Sequence, residues 1–178
     1  MEIVLGPWRN GYRASMAWKR LGVQISSGPP IMRIFFAGPL TNLQNPDKTK
    51  AFYDELGMIA QNLGFEFFWA FRNGTDPILN PEVTPQEVFK RDTEELAKSD
   101  LMVAYVGEPS VGTGEEIEFA REKNIPVVLM YEQTQPVSRM LRGNPIIKKE
   151  LVYTTDEEGI RLFTEFLKEL SQTPNLLK

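Results

Sequence analysis

The 178-residue chain contains neither cysteine nor histidine. The first absence removes disulfides, thiolate nucleophiles and Cys-ligated metals. The second removes Ser-His-Asp and Cys-His arrangements and most zinc sites. Acid/base and nucleophilic chemistry therefore falls mainly to carboxylates. No apolar run approaches the roughly 18 residues that a membrane span needs. The N-terminus lacks the roughly 7–15-residue apolar core of a secretory signal, so a cytoplasmic location is the expectation. There is no Gly-x-Gly-x-x-Gly fingerprint and no P-loop, which leaves NAD and ATP without support. No metal or organic cofactor is expected. A net charge of −4 argues against a nucleic-acid polymer as partner but leaves room for a small phosphate ligand. What is present is globular: 42% hydrophobic and 11% aromatic residues, over a length that suits one domain.

Charge is uneven along the chain. Residues 1–31 carry four basic groups (Arg9, Arg13, Lys19, Arg20) against one acid, Glu2, which leaves 16 basic and 23 acidic groups for the remainder. The segment has no clean helix or strand period and ends in Ser26-Ser27-Gly28-Pro29-Pro30. Val23-Gln24-Ile25 is encodable by GTTCAAATC, which looks like a transfer-RNA T-arm. Gly6-Pro7 and Gly28-Pro29 are each encodable by GGGCCC, as two halves of an acceptor stem would be. The expectation is a non-native extension, a translated tRNA gene, with the native start at Met32. The alternative is a basic N-terminal arm.

From Met32 the pattern alternates strand and helix. Residues 33–37 read as a first strand, and 47–63 as a helix with Phe52, Leu56, Ile59, Ala60 and Leu63 on one face, stopped by Gly64. Residues 65–69 form the next strand. A polar loop follows from Arg72, carrying Pro77, Pro81 and Pro85; a loop of this length is usually functional or mobile. Thr84-Pro85-Gln86-Glu87 is a helix start, with Thr84 as N-cap and Glu87 completing a capping box. That helix runs to Lys98. Further strands are expected at 101–106, 125–130 and 151–153, with helices over 116–123, 137–141 and 157–170 and a frayed tail from Gln172. Five or so mainly parallel strands alternating with helices predict a doubly wound, flavodoxin/Rossmann-like α/β sandwich over residues 32–178.

Chemistry is expected at the carboxyl ends of the strands, where open α/β sheets bind ligands. Ser110-Val111-Gly112-Thr113-Gly114-Glu115-Glu116 lies there, directly after the strand at 101–106. Glu116 is either a nucleophilic carboxylate at the mouth of a cleft or the partner of Thr113 in a capping box. Asp92 is either a solvated helix charge or a second carboxylate facing the same cleft. Two carboxylates flanking one acetal-like carbon serve glycosidic-bond chemistry, one at the carbon and the other on the proton. Asp100 has a turn role. Gly38-Pro39-Leu40 gives a ligand room to approach. Ser110, Ser138, Arg139 and Arg142 are either ordinary surface residues or parts of a phosphate seat.

Taken together, Phe35-Phe36-Ala37-Gly38-Pro39-Leu40, Asp92 with Ser99-Asp100, Gly112-Thr113-Gly114-Glu115-Glu116 and the following Pro-Val-Val-Leu strand resemble the nucleoside 2-deoxyribosyltransferase superfamily. The similarity runs from Met32 to about Asn144. It implies that Glu116 is the nucleophile on C1′ of the deoxyribose and that Asp92 assists proton transfer or orients substrate. Ser110 and Ser138 resemble the 2′-deoxynucleoside 5′-monophosphate N-hydrolase branch, whose serines can donate to a phosphate where transferases place an aspartate and an asparagine. That branch implies a homodimer with shared sites, the second serine coming from the neighbouring subunit. Substrate binding is expected at Gly38, Pro39, Leu40, Ser110, Gly112, Gly114 and Ser138. Trp69 and the loop at 72–85 are expected to take the base, by aromatic stacking. The chain departs from the hydrolases in having Thr41 in place of an arginine and Phe35 in place of a supporting tyrosine. It departs from the transferases in ending without their aromatic C-terminus. The expected activity is hydrolysis of a (2′-deoxy)nucleoside 5′-monophosphate to free base and (deoxy)ribose 5-phosphate. The alternatives are base exchange on deoxynucleosides and a nucleotide-binding module without turnover.

Overall fold

The computed structural model describes residues 32–173 together with 176 and 177. The expectation for residues 1–31 lies outside the described residues. In chain order the elements are β1 (Arg33–Ala37), α1 (Pro46–Asn62), β2 (Glu66–Trp69) with a 3-10 turn at Ala70–Arg72, α2 (Pro85–Ala97), β3 (Leu101–Tyr105), α3 (Val111–Glu122), β4 (Val127–Glu132), α4 (Arg139–Arg142), β5 (Ile147–Tyr153) and α5 (Asp156–Gln172). The five strands form one sheet in the order β2-β1-β3-β4-β5, and every pair is parallel. This is the expected doubly wound α/β fold.

Local chemistry sets the helix ends. Asn45 accepts the Lys48 amide at 3.2 Å ahead of Pro46, and Gly64 takes φ 86 just after α1. At α2 Thr84 and Glu87 complete the expected capping box. Strand alternation then sorts the core into two faces. Ile34, Phe36, Leu101, Val103, Val128 and Met130 meet Phe52, Tyr53 and Leu56 of α1 and Phe163, Phe166 and Leu167 of α5. Phe35, Ala37, Met102, Ala104 and Leu129 meet Leu96 of α2 and Ile117 and Ala120 of α3. Each fully buried large apolar side chain contributes about 1.5–3 kcal/mol. Asp100 fastens the start of β1: its carboxylate accepts the Arg33 amide at 2.8 Å, and its own amide donates to the Arg33 carbonyl at 2.9 Å.

Most boundaries fall within two residues of expectation, and three regions differ more. Helix α3 begins at Val111, five residues before Glu116, because Ser110 caps it. Strand β5 begins at Ile147, since its Lys148, Lys149 and Glu150 protect an exposed sheet edge rather than fill a core. Leu176 and Leu177 pack against the α1/α5 face, so these two residues are held there by apolar contact.

The chain reverses its direction of winding between β1 and β3. The loops leaving these adjacent strands pass to opposite faces of the sheet and open a crevice between them. One bond crosses it: the Gln44 amide donates to the Glu108 carboxylate at 2.9 Å.

Candidate active site

Helix α3 supplies the central carboxylate. The Ser110 hydroxyl accepts the Thr113 amide at 3.2 Å, which places Thr113 at the third helical position and Glu116 in the second turn. A capping box between Thr113 and Glu116 is therefore excluded, because the N-cap position belongs to Ser110. Glu116 is half-buried, and its carboxylate has no hydrogen-bond partner among the described residues.

Helix α2 packs beside α3 on the same sheet face and brings Asp92 to the same cavity. This cavity, about 370 Å³, is lined by Asp92, Glu116, Phe89, Thr93 and Phe119, with Glu115, Glu118 and Glu122 around it. Oδ1 of Asp92 is closed off from solvent without a partner. Desolvation raises the Glu116 pKa to about 8, with the charges of Asp92 and Glu115 adding to the effect. Desolvation likewise raises Asp92 to about 6 against the opposing pull of Arg91. A carboxylate in a cavity whose ionisation is opposed by burial and by a like charge is a candidate for chemistry.

A second, larger cavity of about 600 Å³ lies at the N-terminal end of α3. Ser110, Thr113 and Gly114 line it from α3, and Gln135, Val137, Ser138 and Leu141 from the segment after β4. Ser110 and Ser138 thus line one cavity of a single chain. Among the described residues, only Glu108 and Glu118 are charged in this lining, and no cation belongs to it. Arg142 is tied to Glu150 at 3.0 Å, while Arg139 is exposed beside Ser138.

The remaining expected positions divide by burial. Pro39 is buried, and Leu40 packs on the α1/α5 cluster. Gly38 sits against Tyr53: a Cβ there would lie 2.5 Å from the phenolic oxygen. At Gly114 an added Cβ would meet nothing within 4 Å, and at Gly112 only Ser110 Oγ, at 3.9 Å. Trp69 is corrected. It is 3% exposed and packs with Phe36, Tyr53 and Phe71, so its ring faces are spent on the core and offer no stacking surface. Phe35, in the supporting-tyrosine position, stacks on Phe68 at 5.4 Å in the core of the α2/α3 face. The loop after β2 is pinned at two points. Arg91 donates to the carbonyls of Asn73 and Gly74 at 3.0 and 2.8 Å, and the fully buried Asp76 pairs with Lys50 at 2.9 Å. Sequence reasoning missed Phe89 and Phe119. The spacing of Phe89, Asp92 and Thr93, which puts all three on one helical face, was the available signal.

Residues 34–165 match the family model for nucleoside 2-deoxyribosyltransferases. The chain belongs to that family. As a deoxyribosyltransferase-family member it is an enzyme, and the resemblance read from its motifs holds. A Methanosarcina mazei protein, named as a candidate 2′-deoxynucleoside 5′-phosphate N-hydrolase 1, is 31% identical over 149 residues, covering 82% of this chain and 90% of that protein. A Syntrophotalea carbinolica protein of the same name is 42% identical over 62 residues. That match spans 34% of this chain and 44% of the relative. The Clostridium botulinum CMP N-glycosidase BcmB aligns with a TM-score of 0.57 at 20% identity, over 79% of this chain and 98% of its own. At that identity the likeness to the glycosidase is one of fold.

Proposed function

We propose that this deoxyribosyltransferase-family enzyme hydrolyses the N-glycosidic bond of (2′-deoxy)nucleoside 5′-monophosphates, releasing free base and (deoxy)ribose 5-phosphate. The observation that carries the reading is the pairing of Glu116 and Asp92 in one cavity, both raised in pKa by desolvation. Because the two interact, they titrate as a pair, which holds one proton between about pH 6 and pH 8. Glu116 acts in its ionised form, in the smaller fraction of molecules whose shared proton sits on Asp92: a carboxylate oxygen bonds to C1′ as the C1′–N bond breaks. The electron pair of that bond leaves with the base, and Asp92 supplies the proton the base needs. Water then attacks C1′ of the glycosyl ester, giving a proton back to the pair and freeing Glu116. Phe89 and Phe119 offer the base apolar ring surface. Ser110, Ser138 and the turn at Gly38 hold the phosphate and sugar end. The active unit is a cytoplasmic homodimer. Met140 and Val111, 90% and 82% exposed near the serines, are apolar surface that a second copy would cover.

The test is chromatography of free base after incubating the full chain with each deoxynucleoside 5′-monophosphate and with its unphosphorylated nucleoside. Base release from the monophosphates is expected, with a bell-shaped pH–rate profile whose limbs lie near pH 6 and pH 8. One observation favours a second reading: the cavity at the serines has no cationic lining, which suits an uncharged nucleoside. Formation of a new nucleoside when a second base is supplied, with no turnover of monophosphates, would establish base exchange instead.

A further inference from the structure

Thr113 carries a hydroxyl without an assignment. The residue is 4% exposed, and its Oγ1 has no hydrogen-bond partner. A buried hydroxyl left unpaired is destabilising, so such a group in a native fold calls for an explanation. Thr113 lines the larger cavity, on the first turn of the 12-residue helix α3. Side chains on a helix lean toward its N-terminus, so this one leans toward Ser110 and the open end of the helix. In that first turn the Thr113 amide goes to Ser110 Oγ and the Gly114 amide to the Ser110 carbonyl. The amides of Val111 and Gly112 have no partner among the described residues. The helix dipole adds positive potential at the same place. Gly112 and Gly114 leave the turn bare, although glycine is unfavourable inside a helix and, among the described residues, only Ser110 Oγ approaches the space, 3.9 Å from a Cβ at Gly112.

We propose that the Thr113 hydroxyl is a substrate-binding donor to the anionic end of the substrate, acting with the first-turn amides of α3. This inference rests on the monophosphate reading above. With no cation lining the cavity, an anion held there depends on neutral donors and the helix dipole, so one hydroxyl weighs heavily. Threonine in a helix divides between two χ1 rotamers, so a turn about Cα–Cβ exchanges its methyl and hydroxyl and presents the donor when an anion enters.

The experiment compares the full chain with Thr113→Val, Thr113→Ala and Thr113→Ser. The first two lack the hydroxyl and differ in shape, so a packing fault in one leaves the other to be read. The third keeps the hydroxyl. Valine is expected to raise KM for deoxynucleoside 5′-monophosphates about 10-fold or more, the weight of a hydrogen bond to a charged group, while kcat and turnover of the unphosphorylated nucleoside hold. Serine is expected to restore KM. Without ligand, Thr113→Val should melt higher, by about 2–4 °C, since it removes an orphan; a structural hydroxyl would give a lower Tm. A wild type that prefers monophosphates, with valine and alanine variants of unchanged KM, overturns the Thr113 assignment alone. A wild type that turns over only nucleosides overturns the monophosphate reading, and the assignment with it.

Discussion

Gly38 and Gly107 stand just beyond β1 and β3, whereas Gly112 and Gly114 stand in the first turn of α3, and the two pairs answer to different demands. At Gly38 and Gly107 an added Cβ would collide with the ring and hydroxyl of a tyrosine, Tyr53 in one case and Tyr105 in the other. The fold requires those glycines. At Gly114 the space is empty, and at Gly112 nearly so, although each glycine weakens its helix by up to about 1 kcal/mol relative to alanine. Packing within the chain does not account for the second pair. The same division runs through the charged residues. Asp76 is fully buried, yet it is satisfied by Lys50 and by the amides of Ile78 and Leu79 at 2.8 and 2.9 Å. Glu116 and Asp92 have no such support.

Glutamine at position 116 gives the largest contrast. Turnover should fall about 10³-fold or more if this carboxylate is the nucleophile, while stability rises. The sign follows from the raised pKa. The folded protein binds the Glu116 proton more tightly than the unfolded chain does, so wild-type stability falls as pH climbs from about 4.5 to about 8. The variant's advantage should grow over that window, as read by urea unfolding at several pH values. Asp76→Asn should behave oppositely. Burial alone works against the Asp76 charge, but Lys50 and the two amides outweigh it and hold the pKa below the ordinary carboxylate value. Its stabilisation is therefore present at neutral pH and lost as pH falls through that lowered value. Breaking the pair should cost about 3 kcal/mol in denaturant unfolding at pH 7. Gly38→Ala should cost about 1–3 kcal/mol, because Tyr53 is fully buried and its ring must shift. Gly114→Ala is the smallest effect: a gain of up to about 1 kcal/mol in unfolding, paired with weaker substrate binding in the base-release assay. A Gly114→Ala protein of unaltered KM would remove the distinction between the two glycine pairs.

Much of the architecture was legible because local signals agreed with one another. Thr84 and Glu87 formed their capping box, and Gly64 ended α1 in the left-handed conformation. The alternation of short apolar runs with amphipathic stretches gave the doubly wound sheet. Glu116 and Asp92 were nameable as a pair from motif and spacing. The start of α3 was misplaced because Ser110 and Thr113 are both good N-cap residues, and only tertiary placement decides between them. The early part of β5 was missed because an edge strand carries lysine and glutamate where a central strand carries valine. Trp69 was misassigned because an aromatic residue at a strand end reads the same whether it faces a ligand or a core. The Lys50–Asp76 pair joins residues on separate elements, α1 and the loop after β2, and no periodicity marks such a contact.

The strand order also sets a sequence of events during synthesis. The start of β1 is fastened by Asp100, 67 residues further along the chain. Strand β2 leaves the ribosome early and can cover one edge of β1, while the other edge waits for β3. Domains form from the N-terminal side as the chain emerges, at roughly 5–20 residues per second. For several seconds, then, the nascent protein presents one open strand edge, rich in phenylalanine, at the line where its crevice will lie. The pairing that ends this vulnerable interval is the one that creates the crevice, so a chain that escapes aggregation at that edge has, by the same step, begun to open the crevice between β1 and β3.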